Sequence, residues 1–139
     1  MGSIFTRIIN GEISGRIVWR DEICVVMVDI RPLNRGHVLV IPIKEVDRWT
    51  DLSTDTASHC MTVAHTIGRA QQELFAPVRI GLMIAGFEIP HAHLHVIPID
   101  TMDHLDFANA DPDADSDDLD RVAELLRQAL RRAGHQAAT

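Results

Sequence analysis

A β-strand has a two-residue period, so the run His91-Ala92-His93-Leu94-His95-Val96-Ile97 puts three imidazoles on one face and Ala92, Leu94 and Val96 on the other. A fold built around such a strand must cover the apolar face and leave the titratable face reachable. With 8 His in 139 residues, composition alone is a poor explanation for three of them in strict alternation. Imidazole chemistry is expected on that face.

The rest of the chain predicts the scaffold. Ser3 can cap a short helix running through Ile9 and ending near Asn10-Gly11. Ile17-Arg20 and Glu22-Ile30 read as β-branched strands broken at Asp21, which makes a hairpin. Arg31 to Gly36 is a turn cluster, and His37-Ile41 resumes an apolar strand that Pro42 ends or places at an edge. Ser53 can cap a long amphipathic helix with Ala57, Cys60, Met61, Ala64, Ile67, Ala70 and Leu74 on its buried stripe, stopping before Pro77. Val78-Ile84 is a fourth strand and His91-Ile97 a fifth, ended by Pro98. An acidic loop then leads to a C-terminal helix carrying Leu119, Val122, Leu125, Leu126 and Leu130.

Strands joined by short turns, with helices between groups of strands, predict an α+β fold: an antiparallel five-stranded sheet with a long helix and a C-terminal helix, one helix layer covering one sheet face. A chain of 139 residues fits a single domain over 1–139, with its core at about 3–98 and the acidic loop and last helix at 99–139.

The formal charge of −7 is uneven. Residues 100–120 hold nine Asp and no Lys or Arg, whereas residues 1–99 hold nine Lys/Arg against ten Asp/Glu. No basic stripe is available to neutralise a phosphate backbone, so polymeric nucleic acid is not an expected partner. The acidic run reads as a solvated loop, with Asp117, Asp118 or Asp120 near a helix N-terminus where negative charge is favourable. Cys24 and Cys60 lack C-x-x-C spacing and read as core thiols in a reducing compartment. No segment has the length of a membrane span or a signal peptide, so a cytoplasmic location is the default expectation.

A neutral imidazole can be a nucleophile, a general base or a metal ligand, and its ordinary pKa near 6.5 keeps all three roles open at neutral pH. In nucleophilic use, one nitrogen attacks while the other donates a hydrogen bond that sets the tautomer, and flanking rings can bind charge on phosphoryl oxygens. Neighbours two residues away on either side of His93 suit that division. In metal use, two of the rings would need a third ligand, such as His37, His104 or a carboxylate. His37, His59, His65, His104 and His135 carry no spacing that assigns them chemistry.

The run at 91–97 matches the H-φ-H-φ-H-φ-φ signature, and the chain thereby resembles the histidine triad superfamily of nucleotide hydrolases and transferases. Ile4-Phe5-x-x-Ile8-Ile9-Asn10-Gly11-Glu12-Ile13, the strand ending Val28-Asp29-Ile30-x-Pro32, and Gly36-His37-Val38-Leu39-Val40-Ile41-Pro42 resemble further family segments in the family's order. The likeness spans roughly residues 3–98.

The resemblance implies a homodimeric nucleotidyl hydrolase without a cofactor, acting on a nucleoside phosphoramidate, a dinucleoside polyphosphate or a similar ester. It makes His93 the nucleophile, His95 the contact to phosphate oxygens and leaving group, and His91 the residue that orients His93. Asp29 would accept the ribose hydroxyls, Phe5, Ile8, Met27 and Ile30 would wall the base pocket, and amides near Gly86 would hold phosphate. Histidine at position 95, where the transferase branch has glutamine, favours the hydrolases.

Three segments depart from the family pattern, one of them an Asn-Gly stretch just upstream of the triad loop that is shortened here. Glu45 stands where many members carry a further His, and a carboxylate beside a phosphoryl group is electrostatically unfavourable. The loop Ala85-Gly86-Phe87-Glu88-Ile89-Pro90 lacks the amide and hydroxyl side chains usual before the triad, and Glu88 there would select a leaving group carrying a cationic amine. Other readings remain open. Asp29 can simply cap the turn at Asp-Ile-Arg-Pro, the imidazole face can hold a divalent metal for hydrolysis, and the domain can be a nucleotide-binding regulatory module with little turnover.

Overall fold

Ser3 begins the first helix as its sequence position suggests, its Oγ accepting the Thr6 N–H at 3.1 Å. A computed structural model describes residues 2–139. Helix α1 spans Ile4–Ile9, and strands β1 and β2 span Ile17–Arg20 and Cys24–Val28. Strand β3 is Val38–Pro42, the long helix α2 is Thr54–Phe75, and strands β4 and β5 are Arg79–Met83 and Leu94–Ile99. Short 3-10 turns at Met102–Leu105 and Phe107–Asn109 precede helix α3, Ser116–Arg132.

The five strands form one antiparallel sheet in the order β1-β2-β3-β5-β4. The expected α+β class and sheet are observed. Alternation along the central strands sorts their side chains to two faces. Cys24, Val26, Val28, Val38, Val40, Leu94 and Val96 pack under α2 and α3, where Ile67, Leu126 and Leu130 are at most 1% exposed. Burial of each such aliphatic side chain contributes about 1.5–3 kcal/mol. Val25, Met27, Leu39 and Ile41 point the other way and meet Phe5 and Ile9 of α1. Because α1 is six residues long it covers only part of that face, and the histidines occupy the remainder.

Several expected boundaries move. The second strand is Cys24–Val28 rather than Glu22-Ile30, because the Asp21 Oδ1 accepts the Ile23 and Cys24 N–H groups, both at 2.8 Å, and holds that end in a turn. In α2, Met61 is 48% exposed, and Val63 and Gln71 take buried positions beside Cys60, Ala64, Ile67 and Ala70.

The largest correction concerns the fifth strand, which begins at Leu94 and continues through Pro98 to Ile99 instead of spanning His91-Ile97. Pro98 is tolerated because β5 pairs with β3 only over Leu94–Val96, so a missing N–H on that side loses no ladder bond. His91 and His93 therefore precede the strand. They share the imidazole face through loop contacts rather than through the strand's period.

Candidate active site

The three histidines are buried, at 0%, 4% and 5% exposure for His91, His93 and His95, and each ring is fixed by its neighbours. His91 Nε2 lies 2.7 Å from the Pro42 carbonyl, which can only accept, so Nε2 carries the proton and Nδ1 has the lone pair. The Ser3 hydroxyl donates to that Nδ1 at 2.7 Å. His93 Nδ1 lies 2.7 Å from the His91 carbonyl, so Nδ1 carries the proton and the Nε2 lone pair is left unengaged. A ring of defined tautomer results.

His95 is oriented by a residue to which the sequence assigned no chemistry. His37, 1% exposed at the start of β3, accepts the Leu33 N–H on Nδ1 at 3.0 Å, which puts its own proton on Nε2. That Nε2–H donates to His95 Nδ1 at 2.9 Å, and His95 is left with Nε2–H as a hydrogen-bond donor. The pair of rings thus presents one lone pair, from His93, beside one N–H, from His95, with centroids 4.9 Å apart. The signal for His37 in the sequence was its position: it begins the strand that pairs with the strand of His95, and pairing registers are not visible in one dimension.

The backbone around His37 is tightly specified. Gly36 has φ +96°, and a Cβ there would come within 2.6 Å of the Phe75 ring, so both conformation and space demand glycine. Gln71 of α2, fully buried, donates Nε2–H to the carbonyls of Gly36 and Val96, both at 2.9 Å. One side chain therefore ties the residue before His37 to the residue after His95. Phe107, from the acidic segment, sets its ring edge-on to His95 at 5.0 Å. That segment is therefore part of the site's wall as well as a solvated loop.

Burial pushes the histidines' pKa values down: His37 to about 3 and His95 to about 4, with His93 also lowered. Neighbouring imidazoles add to each shift. His93 is consequently neutral across the physiological range. Asp29 moves oppositely, raised to about 6 by burial, with the Glu88 charge adding and the Arg31 N–H bond opposing.

These shifts predict a pH dependence of stability. His37 and His95 have folded-state pKa values below the unfolded value near 6.5, so their contribution is present above that pH and is lost as the pH falls toward 4 and 3. Asp29, raised from 3.8, contributes the opposite way: its contribution is present below 3.8 and lost as the pH rises through 6. Two rings outweigh one carboxyl. Between pH 6.5 and 4 the net loss is on the order of a few kcal/mol, and thermal denaturation should show Tm falling by roughly 10 °C over that interval.

The structure brings Phe5, Ile8 and Met27 together on the α1 side of the sheet, with the Phe5 ring edge-on to His93 at 4.9 Å and to His91 at 5.7 Å. Ile30 stands apart, 65% exposed beyond the end of β2. Asp29 Oδ1 caps the turn by accepting the Arg31 N–H at 2.9 Å, while Oδ2 faces His37 Nε2 at 3.5 Å. Gly86, with φ +86°, and the exposed Glu88 lie in the loop before the triad, and the Glu88 charge acts on both Asp29 and His93.

Glu45 is not free to face a phosphoryl group. Its Oε1 accepts the Ser3 N–H at 2.6 Å and the Thr6 hydroxyl at 2.7 Å, which lowers its pKa and fastens α1 beside His91.

The HIT domain family model matches residues 10–102. Among curated proteins, an uncharacterized HIT-like protein of Methanocaldococcus jannaschii is 33% identical over 99 residues, covering 68% of this chain and 77% of that protein. The bis(5′-adenosyl)-triphosphatase/adenylylsulfatase FHIT of Arabidopsis thaliana is 36% identical over 77 residues, covering 52% of this chain and 43% of that protein. Among solved structures, a zinc-bound histidine triad family protein from Mycobacterium smegmatis superposes with a TM-score of 0.79 at 30% identity, covering 94% of each chain. With its fold, its three buried imidazoles and most of its length accounted for in this way, the chain belongs to the histidine triad (HIT) family.

Proposed function

We propose that this protein is a metal-independent nucleotidyl hydrolase that cleaves a nucleoside phosphoramidate or dinucleoside polyphosphate through a covalent nucleotidyl-His93 intermediate. The observation that carries this reading is the bond from His93 Nδ1–H to the His91 carbonyl, which turns an unengaged Nε2 lone pair toward the substrate face. His93 Nε2 forms a bond to the α-phosphorus as the bond to the leaving group breaks, and the leaving group takes a proton from solvent. His95 Nε2–H donates to the phosphoryl oxygen on which charge develops. Water then attacks phosphorus, the phosphorus–nitrogen bond breaks, and the nucleoside monophosphate departs with His93 restored. The Arabidopsis relative, a named triphosphatase, supports a nucleotide substrate.

In the same reading, Asp29 Oδ2 accepts the ribose hydroxyls, Phe5, Ile8 and Met27 line the base, and amides near Gly86 hold phosphate, while the exposed Ile30 is left out of the base wall. Adding an adenosine phosphoramidate to the protein and quenching early tests it by intact mass: an AMP adduct that maps to His93 is the expected result. Nucleotide binding without an adduct or turnover would instead mark a binding module.

In this reading Glu88 chooses the leaving group. Its charge reaches both Asp29 and His93, so a cationic amine leaving group gains an interaction that a neutral one does not. Glu88→Ser should lower the ratio of kcat/KM for amine-cation over neutral leaving groups by about fivefold. An unchanged ratio would remove Glu88 from the specificity argument.

A divalent-metal hydrolase is the second reading, favoured by Asp29, His37 and His95, whose ligand atoms lie within 4.8 Å of one another. Turnover abolished by chelation would select it, and chelator-resistant turnover the covalent reading.

The homodimer that the family resemblance implies is also proposed here, through β4. The β1 edge is covered by the C-terminal tail, where Trp19 bridges to Ala138 and Arg20 N–H donates to Ala137, whereas β4 presents an uncovered edge with Leu82 42% exposed. Light scattering should give twice the chain mass, reverting to one chain mass in Leu82→Lys.

A further inference from the structure

On the face of the sheet opposite the imidazoles, a second set of ligand-type side chains converges that the reaction above does not use. Asp21 sits in the β1–β2 turn, Cys24 opens β2, and His59 projects from α2. Their donor atoms all lie within 4.8 Å of one another. Asp21 Oδ1 is held by two backbone N–H groups, so its Oδ2 is fixed in place. That Oδ2 accepts His59 Nε2–H at 2.6 Å and Trp19 Nε1–H at 2.9 Å, and lies 3.8 Å from Cys24 Sγ. Cys60, next to His59 on α2, lies in the same buried core cluster as Cys24.

We propose that Asp21, Cys24 and His59 form a zinc-class metal site that staples the β1–β2 turn to α2. Metal–ligand bonds of about 2.0–2.3 Å at tetrahedral angles give donor separations of roughly 3.3–3.6 Å. The observed 2.6 Å and 3.8 Å bracket that range, and the third separation, between the His59 and Cys24 donors, lies within 4.8 Å. A thiolate with an imidazole selects a borderline-soft ion over Mg²⁺ or Ca²⁺. Charge also balances: carboxylate and thiolate supply −2 against +2, with His59 neutral, which suits a partly buried site.

On binding, the Cys24 thiol proton goes to solvent and the His59 proton moves from Nε2 to Nδ1, so that Nε2 and Asp21 Oδ2 both face the metal. Cys24 and Cys60 are fully buried while the His59 and Asp21 side chains are 33% and 20% exposed. Metal therefore enters, and a solvent ligand completes the shell, from the His59 side. Sequence separation hid the cluster: 34 residues lie between Cys24 and His59, with none of the close spacing of a zinc motif.

The test is a Co²⁺ titration of the reduced, chelator-stripped full chain, followed by Zn²⁺ displacement. One equivalent with a thiolate-to-cobalt charge-transfer band is expected. The band should persist in His95→Ala, vanish in Cys24→Ser, and require at least about tenfold more metal in His59→Gln. Zn²⁺ should raise the Tm of the wild type and not of His59→Gln, a one-third-exposed position that folds even if Cys24→Ser does not. Absence of the band, equal affinity in His59→Gln, or metal binding lost in His95→Ala would each overturn the proposal.

Discussion

His93→Ala should lower kcat for a nucleoside phosphoramidate by more than about 10⁴-fold while leaving stability within about 1–2 kcal/mol of wild type. The chemical loss is large because no neighbouring group can take over. His91 Nδ1 already accepts from Ser3, His37 Nδ1 from Leu33, and His95 Nδ1 from His37, so His93 Nε2 is the one unengaged imidazole lone pair among the four. The structural cost is small because, among the described residues, the one hydrogen bond the side chain makes is to a carbonyl, and the Phe5 and His95 rings can close toward the space. AMP release under saturating substrate, with nucleotide affinity measured separately by calorimetry, separates the two effects. Turnover within tenfold of wild type would refute the covalent reading.

His37→Ala should act on both stability and rate. Removing a ring that is 1% exposed opens a cavity and leaves the Leu33 N–H and the His95 Nδ1 without partners, a cost of about 3 kcal/mol and roughly 10 °C in Tm. The rate effect comes through His95. With no donor on Nδ1, the proton distributes over both nitrogens, the fraction with Nε2–H falls, and kcat drops by about 10- to 100-fold. His37 is a positioning residue, and its signature is the His95 tautomer: ¹⁵N NMR should show a single Nε2–H form in wild type and a mixture in His37→Ala, which has no donor for His95 Nδ1. A single Nε2–H tautomer persisting in that variant would reduce His37 to a packing role.

Where local pattern and burial agree, the sequence was a good guide. Helix α2 starts after its Ser53 cap, with Oγ accepting the Thr56 N–H at 3.1 Å, and ends two residues before Pro77, because capping, apolar periodicity and proline exclusion are all local effects. The alternation of Val25 and Met27 against Val26 and Val28 likewise predicts two faces, and both are filled. Reading His91-Ile97 as one strand was less successful. Its apolar partners Leu94 and Val96 behave as expected, but His91 and His93 lie in a loop that the Pro42 and Val46 carbonyls hold against the end of β3. Pairing with a distant strand sets where a strand begins, and that distance is absent from the local pattern.

The acidic segment gives the same lesson at longer range. Its composition suggested solvent, yet Phe107 reaches back to His95 and the Leu105 side chain fills the space beside Gly81, where a Cβ would meet it at 2.9 Å. Two apolar residues in a run of nine aspartates do not outweigh the charge in one dimension. They do once the sheet edge supplies a surface to bury them.

By itself, then, the sequence determined the α+β class, the five strands, the principal helices and the imidazole cluster with its family, since periodicity, caps and a short motif are all written between near neighbours. The tertiary structure decided which nitrogen each ring presents, the part played by His37, the capture of Glu45 by α1, and the meeting of Asp21, Cys24 and His59. A tautomer or a ligand set depends on which donor stands opposite, and strand order and helix packing bring those donors together from residues 35 to 88 positions apart in the chain.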